Sequence, residues 1–202
     1  MDSARRRLIA LGLAAPMAVA LTGCERSAPP PPAFKSIDIT GAEYARDFDL
    51  PDVDGKRRRL ADFKGSLAVV FFGYTQCPDV CPTTMMELAQ IKKELGADGA
   101  RVQGIFISVD PERDTPEVLK AYVGAFSPDF VALRGSAEET AAAAKAFKVF
   151  FAKVPGQAAG SYTMDHTAGS YVFDATGRVR LFTRYGMGSD TLKSDLQLLL
   201  KG

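Results

Sequence analysis

One unbroken apolar run, residues 67–72, constrains the fold more than any other feature of the sequence. A continuous aliphatic and aromatic run of this length is typical of a strand that is buried on both faces of a parallel sheet. The chain breaks after this run at Gly73 and Pro78, and residues 82–95 then favour a helix that ends near Gly96. The sequence therefore predicts a central strand, a loop and a helix in direct succession.

Strands and helices continue to alternate along the rest of the chain. Two helix starts carry capping signals: Thr115 is followed by a proline, and Ser136 is followed three residues later by Glu139. The predicted elements are two short extended pieces within 45–60, a strand at 102–109, helices at 115–126 and 136–149, a short strand at 130–133, a hairpin of 171–173 with 179–182, and a helix at 190–200. This order predicts an α/β fold, a thioredoxin-like sandwich with additional N-terminal strands and a C-terminal hairpin and helix.

The N-terminal residues predict export from the cytoplasm. Arginines at 5–7 precede an apolar stretch at 8–21, which is typical of an export signal and is shorter than the roughly 20 residues that span a bilayer. The stretch ends in Leu-Thr-Gly-Cys, which resembles the lipobox of bacterial lipoproteins and implies cleavage before Cys24 and acylation of its thiol. The alternatives are ordinary secretory cleavage, with Cys24 left as a free thiol, and export by the twin-arginine route.

The chain divides into three segments on this interpretation. Residues 1–23 form the lipoprotein signal peptide, residues 24–35 form a proline-rich extended tether, and residues 36–202 form one domain. Removal of residues 1–23 takes away three arginines and one aspartate, so the formal charge changes from +1 to about −1. A near-neutral domain argues against nucleic-acid binding. We expect a protein of the bacterial cell envelope, lipid-anchored to a membrane and facing the periplasm, with the inner membrane favoured over the outer.

Cys77 and Cys81 are the pair that remains for chemistry once Cys24 is acylated. A disulfide between residues four apart closes too short a loop to stabilise the fold much, so the pair is expected to be redox-active or metal-binding. Both thiols fall at the predicted start of a helix, where unpaired N–H groups and the helix dipole favour the thiolate. The three intervening residues leave room for a metal ion between the sulfurs without excluding a disulfide.

His166 is the only histidine of the chain. A single histidine is commonly structural, and periodicity alone does not place it beside the cysteines. Two thiolates and one imidazole suit copper in either oxidation state, whereas a structural zinc site normally needs four protein ligands and no fourth is obvious. Met164 lies close in sequence, but it fits the core equally well and is not included in the predicted ligand set.

Other polar and aromatic residues near these motifs have structural as well as functional interpretations. Asp79 is expected either to orient the cysteine loop or meet a partner, or to be an exposed turn residue. Asp110-Pro111 with Arg113-Asp114 is expected either to form a buried ion pair that fixes the neighbouring loop or to be a helix-entry turn with solvated charges. Phe72 and Tyr74 are expected in the core or at its rim.

Three separated motifs occur in order along the domain. They are FFGYTQCPDVCP at 71–82, ISVDPERDTPE at 107–117 and DHT at 165–167. Together they resemble the Sco/SenC family of copper-binding proteins, and the resemblance extends over residues 48–200. It implies a thioredoxin-like fold in which Cys77, Cys81 and His166 bind copper. The family often has histidine before the first cysteine, where this chain has Gln76, but that position is not one of the three ligands.

The resemblance also implies a role in building the dinuclear copper centre of cytochrome c oxidase. The expected function is that of a copper metallochaperone rather than an enzyme, which takes copper from a donor protein and delivers it to, or prepares, subunit II of that oxidase. Loading requires a periplasmic thiol reductant, because an oxidised cysteine pair cannot bind the metal in this way. The alternative is a membrane-anchored thiol:disulfide reductase, which needs Cys77 and Cys81 but not His166. A peroxiredoxin-like role matches the cysteine loop poorly.

Overall fold

Residues 33–201 are described by the computed structural model of the protein, and strands and helices alternate along them. The strands are β1 (Ile37–Asp38), β2 (Asp49–Pro51), β3 (Arg57–Arg59), β4 (Leu67–Gly73), β5 (Val102–Ser108), β6 (Val131–Leu133), β7 (Phe151–Pro155), β8 (Tyr162–His166), β9 (Gly169–Phe173) and β10 (Val179–Arg184). The α-helices are α1 (Val80–Glu94), α2 (Pro116–Gly124), α3 (Ala137–Phe147) and α4 (Ser189–Lys201), with short 3₁₀ helices at Leu60–Phe63 and Gly96–Arg101.

The N-terminal predictions concern residues that the structure does not describe. The signal peptide at 1–23, Cys24 and nearly all of the tether at 24–35 lie outside the described residues. Within the described part, none of the helices is both long and apolar enough to cross a membrane.

The central sheet has the strand order β1-β10-β9-β4-β5-β6. β4, β5 and β6 run parallel, and β9, β10 and β1 continue the sheet in antiparallel fashion on the other side of β4. Every residue of β4 is buried, as expected for a strand that is covered on both faces. The apolar run at 67–72 is therefore the central strand that the sequence predicts.

Successive side chains of β4 point to opposite faces of the sheet, and each face has its own core. Phe72 packs on one face against Phe147 of α3, with ring centroids 5.2 Å apart. Phe71 packs on the other face against Phe106 of β5, which in turn contacts Tyr122 of α2 at 5.4 Å. The sheet is thus the middle layer of a sandwich.

The predicted α/β sandwich is confirmed. The additional N-terminal strands are β2 and β3, and the C-terminal hairpin and helix are β9, β10 and α4. The capping signals also act as expected: the Thr115 hydroxyl accepts from the Val118 N–H, and Ser136 and Glu139 form a capping box at the start of α3. These local contacts determine where α2 and α3 begin.

β7 and β8 form a separate two-stranded sheet that was not predicted from the sequence. Their register pairs Phe151 with His166 and Pro155 with Tyr162, so His166 is the last residue of a strand. α3 also ends earlier than expected, because Lys148 adopts a left-handed conformation with φ of 55°. This conformation is typical of the residue that terminates a helix.

Candidate metal centre

The two cysteines lie where the central strand is followed by α1. β4 ends at Gly73, the next loop carries Cys77, and α1 begins at Val80 with Cys81 in its first turn. Cys81 is buried, Cys77 is half-buried, and both thiols are free. The Cys81 backbone N–H donates to the Cys77 sulfur at 3.4 Å. An otherwise unpaired N–H of the helix start therefore points at this thiol.

His166 is brought to the cysteines by β8. Its ring meets Phe71 and Tyr74 edge-on, with centroid distances of 5.8 and 6.0 Å. Its Nδ1 lies 3.2 Å from the Thr167 carbonyl and donates to it, which directs the Nε2 lone pair at the Cys81 sulfur 3.4 Å away. A hydrogen bond of this kind commonly fixes the tautomer of a metal-binding histidine.

The three predicted site residues form one group. One ligand atom from each of Cys77, Cys81 and His166 lies within 4.8 Å of the others, so the group could hold a metal ion. Thiolate sulfur and imidazole nitrogen are donors that suit copper. The group supplies three ligand atoms, whereas structural zinc sites normally use four. The donor set therefore fits copper better than structural zinc.

Burial determines the protonation of the deepest ligand atoms. It raises the pKa of the Cys81 thiol far above its usual range and lowers the pKa of the His166 imidazole. The imidazole is therefore held neutral, which is the form that binds a metal. Helix-start chemistry predicts a thiolate at Cys81, but burial and the neighbouring Cys77 sulfur favour its protonated thiol. A metal ion must displace the proton of this thiol.

Asp114 holds the loop before Cys77 in place. Its buried carboxylate accepts hydrogen bonds from the Thr75 backbone N–H at 3.2 Å and from the hydroxyls of Thr75 and Ser108, both at 2.6 Å. Burial raises the pKa of Asp114 despite these donors. The sequence places Asp114 at a helix start and in a possible ion pair, but it does not indicate the contact with Thr75, which lies 39 residues away.

Replacement of Asp114 by alanine is expected to lower the free energy of unfolding by about 3 kcal/mol, because the Thr75 N–H and the Ser108 hydroxyl lose a buried acceptor. Asp114→Asn keeps one acceptor oxygen and is expected to lose less. Denaturant unfolding of the soluble domain measures the difference. Asp54→Ala is the control, because the Asp54 side chain is 72% exposed. Equal stability of Asp114→Ala and this control would contradict the role of Asp114 in holding the loop before Cys77.

The other polar residues near the site differ in burial. Asp79 is exposed at the N-cap of α1, with its carboxylate 3.4 Å from the hydroxyls of Thr83 and Tyr185. Asp110 is only 1% exposed and pairs with Arg113. The buried ion pair is therefore confirmed, and the solvated alternative is wrong. Three further residues considered above belong to the core: Phe72, Tyr74 and Met164.

The chain is a thioredoxin-like α/β domain. Its central strand leads into a group of two cysteines and one histidine that could hold a metal ion. The family model described as SCO1/SenC matches residues 38–201. The chain belongs to this family, which confirms the resemblance carried by the three sequence motifs.

Known proteins similar to this chain include curated and solved members of the family. The SCO2-like protein of Rickettsia felis is 38% identical over 133 residues, which cover 65% of this chain and 65% of that protein. The match thus spans less than two thirds of the length of this curated relative. The structure of Bradyrhizobium japonicum ScoI with copper bound is 40% identical with a TM-score of 0.67, covering 75% of this chain and 96% of that chain.

A more distant structure is that of BsSco, a member of the Sco family of cytochrome c oxidase assembly proteins, in which a disulfide switch is identified. It is 25% identical with a TM-score of 0.61, and the match covers 82% of this chain and 98% of that chain. The chain thus belongs to a family of copper-binding proteins that take part in cytochrome c oxidase assembly. The solved Bradyrhizobium japonicum ScoI binds copper, the predicted cofactor, and Cys77, Cys81 and His166 of this chain form a group that could hold such an ion.

Proposed function

We propose that the protein is a copper metallochaperone that holds one copper ion through Cys77, Cys81 and His166. The observation that carries this proposal is the convergence of the three ligand atoms within 4.8 Å of one another. Membership of a family whose solved members bind copper supports the choice of metal. Copper bound there supplies a thiolate-ligated ion that the soft ligands of a second protein can take over.

The different depths of the three ligands suit release as well as binding. Cys81 is buried, whereas Cys77 and His166 are only half-buried. An acceptor can therefore approach Cys77 and His166 from solvent and replace these ligands before it displaces the buried thiolate. This order makes transfer a stepwise exchange of ligands in which copper is never released to water.

The proposed acceptor is apo subunit II of cytochrome c oxidase, which receives the copper directly or is prepared for it. A separate donor protein loads the site, and a periplasmic thiol reductant keeps Cys77 and Cys81 able to bind copper. Acylation of Cys24 and the tether at 24–35 are proposed to hold the domain at the periplasmic side of a membrane, with the inner membrane favoured. A lipid anchor would keep the protein on the same surface as its acceptor.

A membrane-anchored thiol:disulfide reductase is the second candidate. It is favoured by the two free thiols, which lie close together with the half-buried Cys77 accepting an N–H from the first turn of α1. A helix N-terminus is a common setting for a nucleophilic thiol. The disulfide switch in BsSco also supports redox chemistry at this pair. This function requires Cys77 and Cys81 but not His166.

Copper transfer to the apo copper-binding domain of subunit II tests the proposal. The reduced, copper-loaded protein is mixed with the acceptor, the two are separated, and copper is measured in each. We expect most of the copper on the acceptor, because the acceptor presents thiolates that compete for it. An acceptor whose cysteines are alkylated is the matched control and is expected to take up almost none.

His166→Ala separates the two candidate functions. A metallochaperone is expected to deliver much less copper after this substitution, whereas a reductase is expected to reduce the disulfide of oxidised subunit II at the wild-type rate. The proposal is wrong if the wild-type protein binds no copper and reduces that disulfide with or without His166.

A further inference from the structure

Arg113 joins the two segments that carry the candidate ligands. It lies in the loop between β5 and α2, and its Nη1 donates to the Gln76 side-chain carbonyl at 3.1 Å and to the Tyr162 backbone carbonyl at 2.8 Å. Gln76 directly precedes Cys77, and Tyr162 begins β8, the strand that ends at His166. One nitrogen of the guanidinium therefore bridges the cysteine loop and the histidine strand.

Asp110 holds this arginine in place. Its buried carboxylate accepts from the Arg113 Nε through Oδ2 and from the Tyr162 hydroxyl at 2.9 Å through Oδ1. The guanidinium carbon of Arg113 lies 3.6 Å from the centre of the Tyr162 ring, close enough for cation–π attraction to add to the hydrogen bonds. We call Asp110, Arg113 and Tyr162 the clamp.

The clamp acts on a strand that the central sheet does not hold. β7 and β8 pair with each other in a sheet of their own, so within residues 33–201 the central sheet gives β8 no ladder hydrogen bonds. Lys153 of β7 reinforces the clamp, since its Nζ lies 4.6 Å from the Tyr162 ring and pairs with Glu112. Side-chain contacts therefore contribute much of what sets the distance between His166 and the cysteines.

We propose that Arg113, held by Asp110, is a positioning residue that fixes His166 at the distance from the cysteine loop at which its imidazole serves as the third ligand. This inference rests on the proposed copper-binding function. Soft thiolates select copper(I), whereas imidazole suits copper(II) as well. Loss of the clamp therefore weakens binding of copper(II) more than binding of copper(I).

Two variants break the bridge, and one matched control leaves it intact. Gln76→Ala removes the contact with the cysteine loop but keeps the ion pair and the ring contact, whereas Arg113→Ala removes both sides of the bridge. The control is Arg134→Ala, because Arg134 donates to the Pro111 carbonyl of the same loop through Nε and Nη2. Loss of Arg134 thus perturbs this loop without removing a clamp contact.

The main measurement is copper binding by the reduced soluble domain. Affinities for copper(I) and copper(II) are determined with competing chelators, and the thiolate-to-copper(II) charge-transfer absorption is recorded. Arg113→Ala is expected to weaken copper(II) binding by about tenfold or more, the size of effect that altered surroundings of metal ligands commonly have, and Gln76→Ala is expected to weaken it less. They are expected to alter the absorption band and to change copper(I) affinity less. Arg134→Ala is expected to match the wild type.

A second measurement needs no copper. Amide hydrogen exchange at residues 162–166 is expected to be faster in Arg113→Ala than in the wild type, because the hairpin opens more readily without the clamp. It is expected to be unchanged in Arg134→Ala and to change less in Gln76→Ala, which keeps the contacts of Arg113 with Tyr162. Arg113→Lys keeps the charge but lacks the planar fork of donors. Arg113→Lys is therefore expected to show an altered copper(II) spectrum, as Arg113→Ala does.

The clamp has no positioning role if Gln76→Ala and Arg113→Ala retain the wild-type spectrum and exchange rates, or if they weaken both copper oxidation states equally. Arg113→Ala leaves the Asp110 carboxylate buried without a cation and can fail to fold. Arg113→Lys, which keeps a cation beside Asp110 but lacks the planar fork of donors, then decides on the clamp, and Gln76→Ala decides on the contact with the cysteine loop. A wild-type protein that binds no copper contradicts the proposed function, while hydrogen exchange in the same variants still tests whether the clamp holds β8.

Discussion

Replacement of Cys81 by serine is expected to abolish copper binding by the reduced soluble domain. The Cys81 sulfur is the buried ligand atom and lies 3.4 Å from His166 Nε2, whereas a serine hydroxyl is a hard donor that copper(I) binds weakly. Loss of groups that merely orient a ligand commonly costs about 10–100-fold in metal affinity. Loss of a direct ligand is therefore expected to cost more than about 100-fold. Copper retained per protein against a competing chelator measures this loss.

Three companion variants make the result specific. Cys77→Ser is expected to match Cys81→Ser, because the two thiolates together provide most of the affinity for copper(I). His166→Ala is expected to retain part of the copper(I) affinity and to lose copper(II) binding. Cys24→Ser, made in the full chain, is the matched cysteine control: it is expected to keep the wild-type copper content and to lose membrane attachment. Unchanged copper content in all three ligand variants would rule out the site.

The cysteine half of the site could be predicted because it is local in sequence. The apolar run at 67–72 specifies a buried strand, and Gly73 and Pro78 end it. The helix that follows begins within a few residues, so Cys77 and Cys81 have to lie at the junction of strand and helix. Spacing and periodicity carry this information without any long-range contact.

The position of His166 could not be derived in the same way. His166 lies 85 residues from Cys81, on a hairpin whose first strand, β7, is mostly exposed and shows no buried and exposed alternation. Its place depends on contacts with Phe71 and Tyr74, which come from a distant part of the chain. Such contacts leave no periodic signal, so His166 entered the predicted site through the family motif.

Burial is the second quantity that local patterns do not specify. Helix-start chemistry predicts a thiolate at Cys81, but the depth of the residue beside β4 raises the pKa of its thiol. The same reasoning applies to Asp110 and Asp114, whose sequence context suits a solvated turn although both carboxylates are buried. In each case the packing of distant elements removes the solvent, so the chemistry follows from the tertiary structure.

Replacement of Gly73 by alanine is expected to disturb both the core and the metal centre. A Cβ atom at this position would lie 2.8 Å from a ring carbon of Phe71, 2.9 Å from the Cys81 sulfur and 3.0 Å from a ring carbon of Phe106. Phe71 also supports the His166 ring, so relief of the overlap displaces one candidate ligand or the other. We expect a loss of about 1–3 kcal/mol in the free energy of unfolding and copper binding weakened by about tenfold or more.

Gly104→Ala separates overpacking of the core from damage to the site. Its Cβ would lie 2.6 Å from the Phe130 ring and 3.1 Å from Leu88, so it crowds β5 without touching a candidate ligand. Denaturant unfolding and chelator competition are expected to show a similar loss of stability in both glycine variants, with weakened copper binding in Gly73→Ala alone. Equal copper affinity in the two variants would limit Gly73 to a packing role. Weaker copper binding in Gly73→Ala alone would show that the absence of a Cβ at Gly73 allows β4 to end close to the Cys81 sulfur. A residue that provides no ligand atom would then shape the metal centre.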